Sequence, residues 1–381
     1  KRNDQGGNHL PRPVIGERDP NRDVEPSGRE EVDPRQVDLT SVPRRVEREH
    51  AVHGERTMSE VDDSGTLVGD HKTSGEHGEQ SAEAETALQN LFETECAVFF
   101  VTTGTAANAL VLSAICPPWG AVYCHVDAHI LNDENTAVEL FSGGARLVGI
   151  AGHAGKPDPV SLQEAIESAI SHGVHSAQPA VISLSNVTEA GTVYTPEELQ
   201  VYRRIADRYD MKLHVDGARF ANAVVASGAS PAELSWRAGV DGLRFGLTKN
   251  GGIATEAVVV FDSALAQQLA YRRKRAGHLW SKQRFIAAQW LALLSDELWR
   301  QNARHANAMA HRLAQGLASQ STIDMPWPVE ANEVFPVIPE PLRNDLRNRG
   351  VAFYDWPVLP NMARFVTHFG TSLAEVDELI K

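Results

Sequence analysis

The chain has 381 residues and carries 36 Lys and Arg against 50 Asp and Glu, a net charge of −14 that repels nucleic-acid backbones and anionic lipid over most of its surface. With 42% apolar and 23% charged residues it has an ordinary globular balance, and its length predicts two or three domains or one large α/β body with an appendage. Its three cysteines, Cys96, Cys116 and Cys124, are odd in number and lack metal-ligand spacing, which excludes a disulfide framework and suits a reducing compartment. No run of about 18 apolar residues and no charged-then-apolar start is present, so the expectation is a cytoplasmic protein with neither a nucleic-acid nor a membrane partner.

Residues 1–80 contain no Phe, Trp or Tyr but 12 basic and 18 acidic residues, and show neither the helical nor the strand period. Such a segment cannot bury enough apolar area to offset chain entropy, so a solvated, disordered tail is expected there. Two further segments are expected after it, a large domain over 81–280 and a linking helix with a small C-terminal α+β domain over 281–381.

From residue 81 the pattern becomes regular. An amphipathic helix opens at Ser81 and runs through Leu88, Leu91 and Phe92, followed by a buried-type strand over Ala97–Val101 and a helix beginning in Gly104-Thr105-Ala106-Ala107-Asn108. Six more apolar strands are expected at Ala121–His125, Arg146–Ile150, Ala180–Leu184, Lys212–Val215, Gly242–Phe245 and Ala257–Phe261. Helices fall between several of them, at Ser161–His172 with a serine cap and at Thr195–Tyr209 with Thr-Pro-Glu-Glu as its start signal. This alternation predicts an α/β fold with a mostly parallel seven-stranded sheet sandwiched by helices, and ligands at the carboxyl ends of its strands. A long helical stretch over Ser281–Leu317 then leads to strands at Glu333–Ile338 and Arg364–His368 and a closing helix over Leu373–Leu379.

Four clusters sit at the expected strand ends. In Thr102–Asn108 the small residues at a strand-to-helix turn either make an ordinary tight turn or let backbone N–H groups of Gly104 and Thr105 approach an anion at a helix N-terminus. In Cys124–His129 the two histidines and Asp127 make an incomplete metal set, and a flat imidazole there serves equally to stack on an aromatic ligand or to act as a base. Asp216, ending the apolar strand in His214–Arg219, needs a positive nitrogen, either Arg219 or a ligand. Lys249, in Gly246–Gly252, is either an exposed lysine in an Asn-Gly turn or an amine whose partial desolvation favours its nucleophilic free form. Together these four, with the lysine 33 residues after the aspartate, are the parts needed to hold pyridoxal phosphate, with no metal.

The stretches AVFFVTTGTAANAL, CHVDAHILNDE, FSGGARL, VTEAGTVYTPEEL, LHVDGARFANA, FGLTKNGG, RRKRAGHLWSKQRF and ARFVTHFGTS carry a specific resemblance over about residues 81–381. The chain resembles the low-specificity L-threonine aldolases, which are fold type I, aspartate-aminotransferase-like pyridoxal-phosphate enzymes. The resemblance implies that Lys249 holds the cofactor covalently, that Asp216 and Arg219 meet the ring nitrogen and phenolic oxygen, and that His129 stacks on the ring and helps with the β-hydroxyl proton. It further implies phosphate binding by Gly104 and Thr105, a substrate-carboxylate clamp at Arg364, and a loosely matched Lys282 reaching a neighbouring subunit's cofactor in a homodimer or homotetramer. The implied reaction cleaves threonine, allo-threonine and related β-hydroxy-α-amino acids to glycine and an aldehyde. A β-eliminating or other lyase of the same fold, or a homologue that binds the cofactor without turnover, would use the same anchors.

Two departures stand out. Gly75-Glu76-His77-Gly78 lies where the family has a Tyr-Gly-x-Asp element, as a replaced or out-of-frame terminus would leave it. Arg244 stands where a small residue is more usual, so its guanidinium needs a partner carboxylate or must face solvent.

Overall fold

A computed structural model describes residues 78–381, so the expectations for the N-terminal segment up to residue 77 lie outside the described residues. Helix α1 (Glu79–Phe92) leads into β1 (Ala97–Val101) and α2 (Gly104–Ile115), with Thr103 capping α2 by accepting the Ala106 N–H. There follow β2 (Gly120–His125), the one-turn α3 (His129–Asn132) and β3 (Arg146–Ile150). Next come α4 (Pro159–Ser171), β4 (Gln178–Ser185), α5 (Pro196–Arg208), β5 (Lys212–Gly217), β6 (Gly242–Gly246) and β7 (Glu256–Val260).

These seven strands form one sheet in the order β1-β7-β6-β5-β4-β2-β3. The five from β6 to β3 are mutually parallel and β7 runs against both of its neighbours, so the mostly parallel sheet expected from the alternation is present. Each strand was legible as a short apolar run, and each lies within two residues of its expected bounds. The cap of α4 is Asp158 rather than Ser161, because its carboxylate accepts the Ser161 N–H and Pro159 follows at the first helical position.

The helical stretch expected over 281–317 is two helices, α6 (Arg284–Leu294) and α7 (Leu298–Ala318). Asp296 and Glu297 both take left-handed backbone conformations, at φ 50° and 56°, which a continuous helix cannot contain. Beyond α7, β8 (Glu333–Val334), β9 (Tyr354–Asp355) and β10 (Ala363–Val366) make a small antiparallel sheet, and α8 (Leu373–Ile380) closes the chain behind a Ser372/Glu375 capping box. The strand expected through Ile338 stops at Val334, since Pro336 and Pro339 have no N–H to give a ladder.

Strand alternation decides what faces what. On β6, Phe245 packs into an aromatic core against Phe92, Phe220, Trp290 and Trp299, with ring centroids 5.0–6.2 Å apart. Its neighbour Arg244 therefore points to the opposite face, toward α2. On β5 the same rule sends Leu213 and Val215 into that core and leaves Asp216 on the Arg244 side. All three cysteines are buried free thiols.

Candidate active site

The parallel register sets Ser185, Asp216 and Arg244 in one row across the carboxyl ends of β4, β5 and β6. A cavity of about 360 Å³ opens beside that row, lined among others by His129, Glu189, Asp216, Arg219, Lys249 and Arg364. Five site residues expected from the sequence, His129, Asp216, Arg219, Lys249 and Arg364, thus share one space although they come from four separate chain segments. Gly104, Thr105 and Lys282 are not in its lining. Lys282 is exposed, at a left-handed position ahead of α6.

Asp216 is buried, and its partner is not its sequence neighbour Arg219. Its Oδ1 accepts the Ala218 N–H at 3.0 Å and Arg244 Nη1 at 3.0 Å, while Oδ2 accepts Asn108 Nδ2 at 2.8 Å. Burial alone would raise its pKa, but the Arg244 guanidinium and then the Asn108 amide outweigh that and bring it down to about 2. Arg244 itself finds two carboxylates, Asp216 and, through Nε at 3.0 Å, Glu256. The guanidinium fills the space over Gly104, where any Cβ would overlap it, so this glycine is required by Arg244. The N–H groups of Gly104 and Thr105 have no hydrogen-bond partner among the described residues.

Arg219 instead reaches Glu333 on β8, at 3.2 Å, and its buried Nε is left without a partner among the described residues. Arg364 on β10 donates through Nε to the same Glu333 oxygen at 2.9 Å and lies over the Trp356 ring, 5.1 Å from its centroid. Glu333 thus orients two guanidinium groups at once.

Lys249 projects from the turn after β6 into the cavity. Its amine is brought down to about 8, chiefly by the Arg219 guanidinium, then by loss of water and by Arg244. Replacing Arg219 by glutamine is therefore expected to raise the Lys249 pKa back toward 10.5. The pH midpoint for capture of an aldehyde by this amine, followed by absorbance, then moves alkaline by about one unit or more; an unmoved midpoint contradicts the assignment.

His129 starts α3, and its Nδ1 lies 2.9 Å from Oε1 of the buried Glu134. That hydrogen bond raises its pKa above the ordinary histidine value, against the opposing effect of burial. Asn108 bridges Glu134 to Asp216, donating to both at 2.8 Å. His125, the other histidine of that cluster, is turned inward and accepts the Asp127 N–H. Among the described residues no group of three or more His, Cys, Asp or Glu is placed to hold a metal ion.

Sequence reasoning gave no role to Glu134, Glu189, Glu333 or Trp356. The signal for Glu189 was its position, four residues past the end of β4, where a carboxyl-end site draws its side chains. Its Oε1 accepts the His129 N–H at 2.9 Å and the Ser185 hydroxyl at 2.6 Å, while the buried Oε2 has no partner among the described residues. Burial pushes its pKa from 4.5 up to about 7. The charged form is thus disfavoured in the fold, and its cost grows as pH rises from 4.5 to about 7. Glu189→Gln is expected to leave Tm unchanged or lower at pH 4.5 and to raise it at pH 8; a variant less stable than the native chain at pH 8 contradicts this.

Comparison with known proteins gives the family. Residues 51–340 match the family model described as beta-eliminating lyase, a match that starts thirty residues before Ser81, where the regular pattern begins. A low specificity L-threonine aldolase from Pseudomonas aeruginosa is 42% identical over 301 residues, 79% of this chain and 86% of the relative. The chain belongs to the low-specificity L-threonine aldolases of the beta-eliminating lyase family. A second such aldolase, from a Pseudomonas species, is 41% identical over 78% of this chain and 86% of its own length. Among solved structures, threonine aldolase from Leishmania major superposes with a TM-score of 0.75 at 27% identity, covering 82% of this chain and 91% of that one. The family is one of fold type I pyridoxal-phosphate enzymes. Its cofactor suits the residues present: a cavity of about 360 Å³ holds a nucleophilic amine, a buried carboxylate, an unpartnered buried guanidinium Nε and, beside it, two unpaired N–H groups at a helix start.

Proposed function

We propose that this chain cleaves β-hydroxy-α-amino acids of the threonine type to glycine and an aldehyde, using pyridoxal phosphate. The observation that carries the reading is the convergence of Lys249, Asp216, Arg219, His129 and Arg364 on one cavity at the carboxyl ends of the parallel strands. When bound, the cofactor supplies an aromatic ring that accepts electrons from the substrate's α-carbon.

The chain's own residues supply the rest. Lys249, with a pKa of about 8, has a sizeable unprotonated fraction near neutrality and would hold the cofactor through its Nζ. Asp216 stays ionised at every working pH and would accept the ring nitrogen's N–H. Arg219, with its unpartnered Nε, would donate to the phenolic oxygen, and the N–H groups of Gly104 and Thr105 would receive the phosphate at the start of α2. Arg364, held flat between Glu333 and Trp356, presents a preset cation to a substrate carboxylate.

His129 and Glu189 stand together at the cavity wall, joined through the His129 N–H, and either can take a β-hydroxyl proton at Nε2 or Oε2 respectively. Lys282, exposed outside this cavity, fits a role toward a second copy of the chain, so the proposal includes a homo-oligomer. The test is to incubate the purified chain with pyridoxal phosphate and L-threonine and assay both products. Glycine and acetaldehyde in equal amounts support the reading, and cofactor binding without either product favours the non-catalytic homologue.

A further inference from the structure

A carboxylate offers about four acceptor sites. On Asp216 the Ala218 N–H, the Asn108 amide and Arg244 Nη1 take three of them at 2.8–3.0 Å. The fourth, on Oδ2, already has Arg244 Nη1 at 3.3 Å. A pyridine N–H arriving at Asp216 therefore meets a carboxylate whose charge and lone pairs are largely committed.

Arg244 is not free to withdraw. Its backbone is fixed opposite Asp216 by the strand register, its Nε is held by Glu256, and its guanidinium is packed against Gly104. The side chain is 6% exposed and cannot shed its proton. The result is a permanent positive charge in the wall of the cavity, about 3 Å from the one carboxylate placed to meet the ring nitrogen.

We propose that Arg244 competes with the cofactor's ring nitrogen for Asp216, so that this chain holds the ring more weakly, and less fully protonated, than it would with a small residue at 244. Arg244 is a positioning residue here, acting through Asp216. The inference rests on the cofactor reading given above. It assigns the unusual arginine a definite effect: tuning the electron-accepting strength of the ring rather than anchoring it.

The experiment separates the ring from the phosphate. Apo native chain, Arg244→Ser, Arg244→Gln and the double variant Arg244→Ser/Glu256→Gln are titrated with pyridoxal, which has no phosphate, and with pyridoxal phosphate. The double variant removes the carboxylate that Arg244→Ser leaves uncompensated, and so guards against a folding failure. Pyridoxal is expected to bind the variants about tenfold more tightly, equivalent to about 1.4 kcal/mol. The ¹⁵N signal of bound ring-labelled pyridoxal phosphate is expected to move toward the protonated position.

Unchanged pyridoxal affinity and an unchanged ¹⁵N signal would overturn the proposal. So would variants that bind pyridoxal phosphate more weakly with no gain for pyridoxal, because Arg244 would then be a phosphate ligand. If the native chain and the variants alike bind neither compound, the cofactor reading itself fails and the inference falls with it.

Discussion

Replacing Lys249 by alanine is expected to abolish covalent capture of pyridoxal phosphate and to lower threonine cleavage by about three orders of magnitude or more. The expectation follows from the cavity's composition. Lys249 is the one lysine in its lining, and the neighbouring Arg219 and Arg244 guanidinium groups keep its amine near a pKa of 8. No other lining side chain is an amine, so nothing adjacent can substitute. The fold should be indifferent to the change, since the Lys249 side chain is open to the cavity and makes no hydrogen bond among the described residues. Tm of the apo variant is therefore expected within about 1 °C of the native value, while the visible absorbance of the loaded chain disappears. A variant that keeps the absorbance places the attachment elsewhere.

Asp216→Ala is expected to be damaging in a different way, to stability as well as to function. The side chain is 5% exposed and its carboxylate is the shared acceptor of Arg244, Asn108 and the Ala218 N–H. Removing it leaves the buried guanidinium with Glu256 alone and takes the acceptor from the Asn108 amide and the Ala218 N–H, a loss on the order of 1–3 kcal/mol by chemical denaturation. Its pH signature is also fixed. Asp216 is held below its ordinary 3.8, at about 2, so its contribution is fully present above pH 3.8 and fades as pH falls toward 2. The stability gap between native chain and variant should accordingly narrow only below pH 4. A gap that closes at higher pH would show that the Arg244–Asp216 pair does not dominate this carboxylate. Asp216→Asn keeps the shape and most of the packing, and should lose cofactor affinity with a smaller stability loss.

The sheet was legible because each strand is a short apolar run and helical periods separate several of them, and the rule that function gathers at carboxyl strand ends picked out His129, Asp216 and Lys249, which line one cavity. The pairing of charges was not legible. Arg219, three residues past Asp216, is the obvious partner in sequence, yet the chain turns after Gly217 and carries Arg219 away toward Glu333. The true partner, Arg244, comes from register between β5 and β6, which no local pattern reveals. In the sequence Glu333 marks only the start of a strand, since its role depends on the small sheet lying against the end of the large one. The break at Asp296 and Glu297 was missed for a related reason, because neither residue is the glycine or proline that usually marks such a stop.

Several carboxyl groups around the cavity act as supports. Glu134 fixes the His129 ring, Glu333 aligns Arg219 and Arg364, and Glu256 holds Arg244. This second layer explains how a cavity so rich in guanidinium groups remains folded before any anionic ligand arrives. It also implies that ligand binding exchanges one set of ion pairs for another.

The central claim is that Lys249 in this cavity carries pyridoxal phosphate. The direct test is to load the purified chain with the cofactor, reduce it with borohydride, digest it and locate the pyridoxyl group by mass spectrometry. A single modification on the peptide containing Thr248-Lys249-Asn250, lost in Lys249→Ala and lowered by prior addition of L-threonine, is the predicted result. Modification of another lysine, or none on a chain whose circular dichroism shows it folded, would contradict the account.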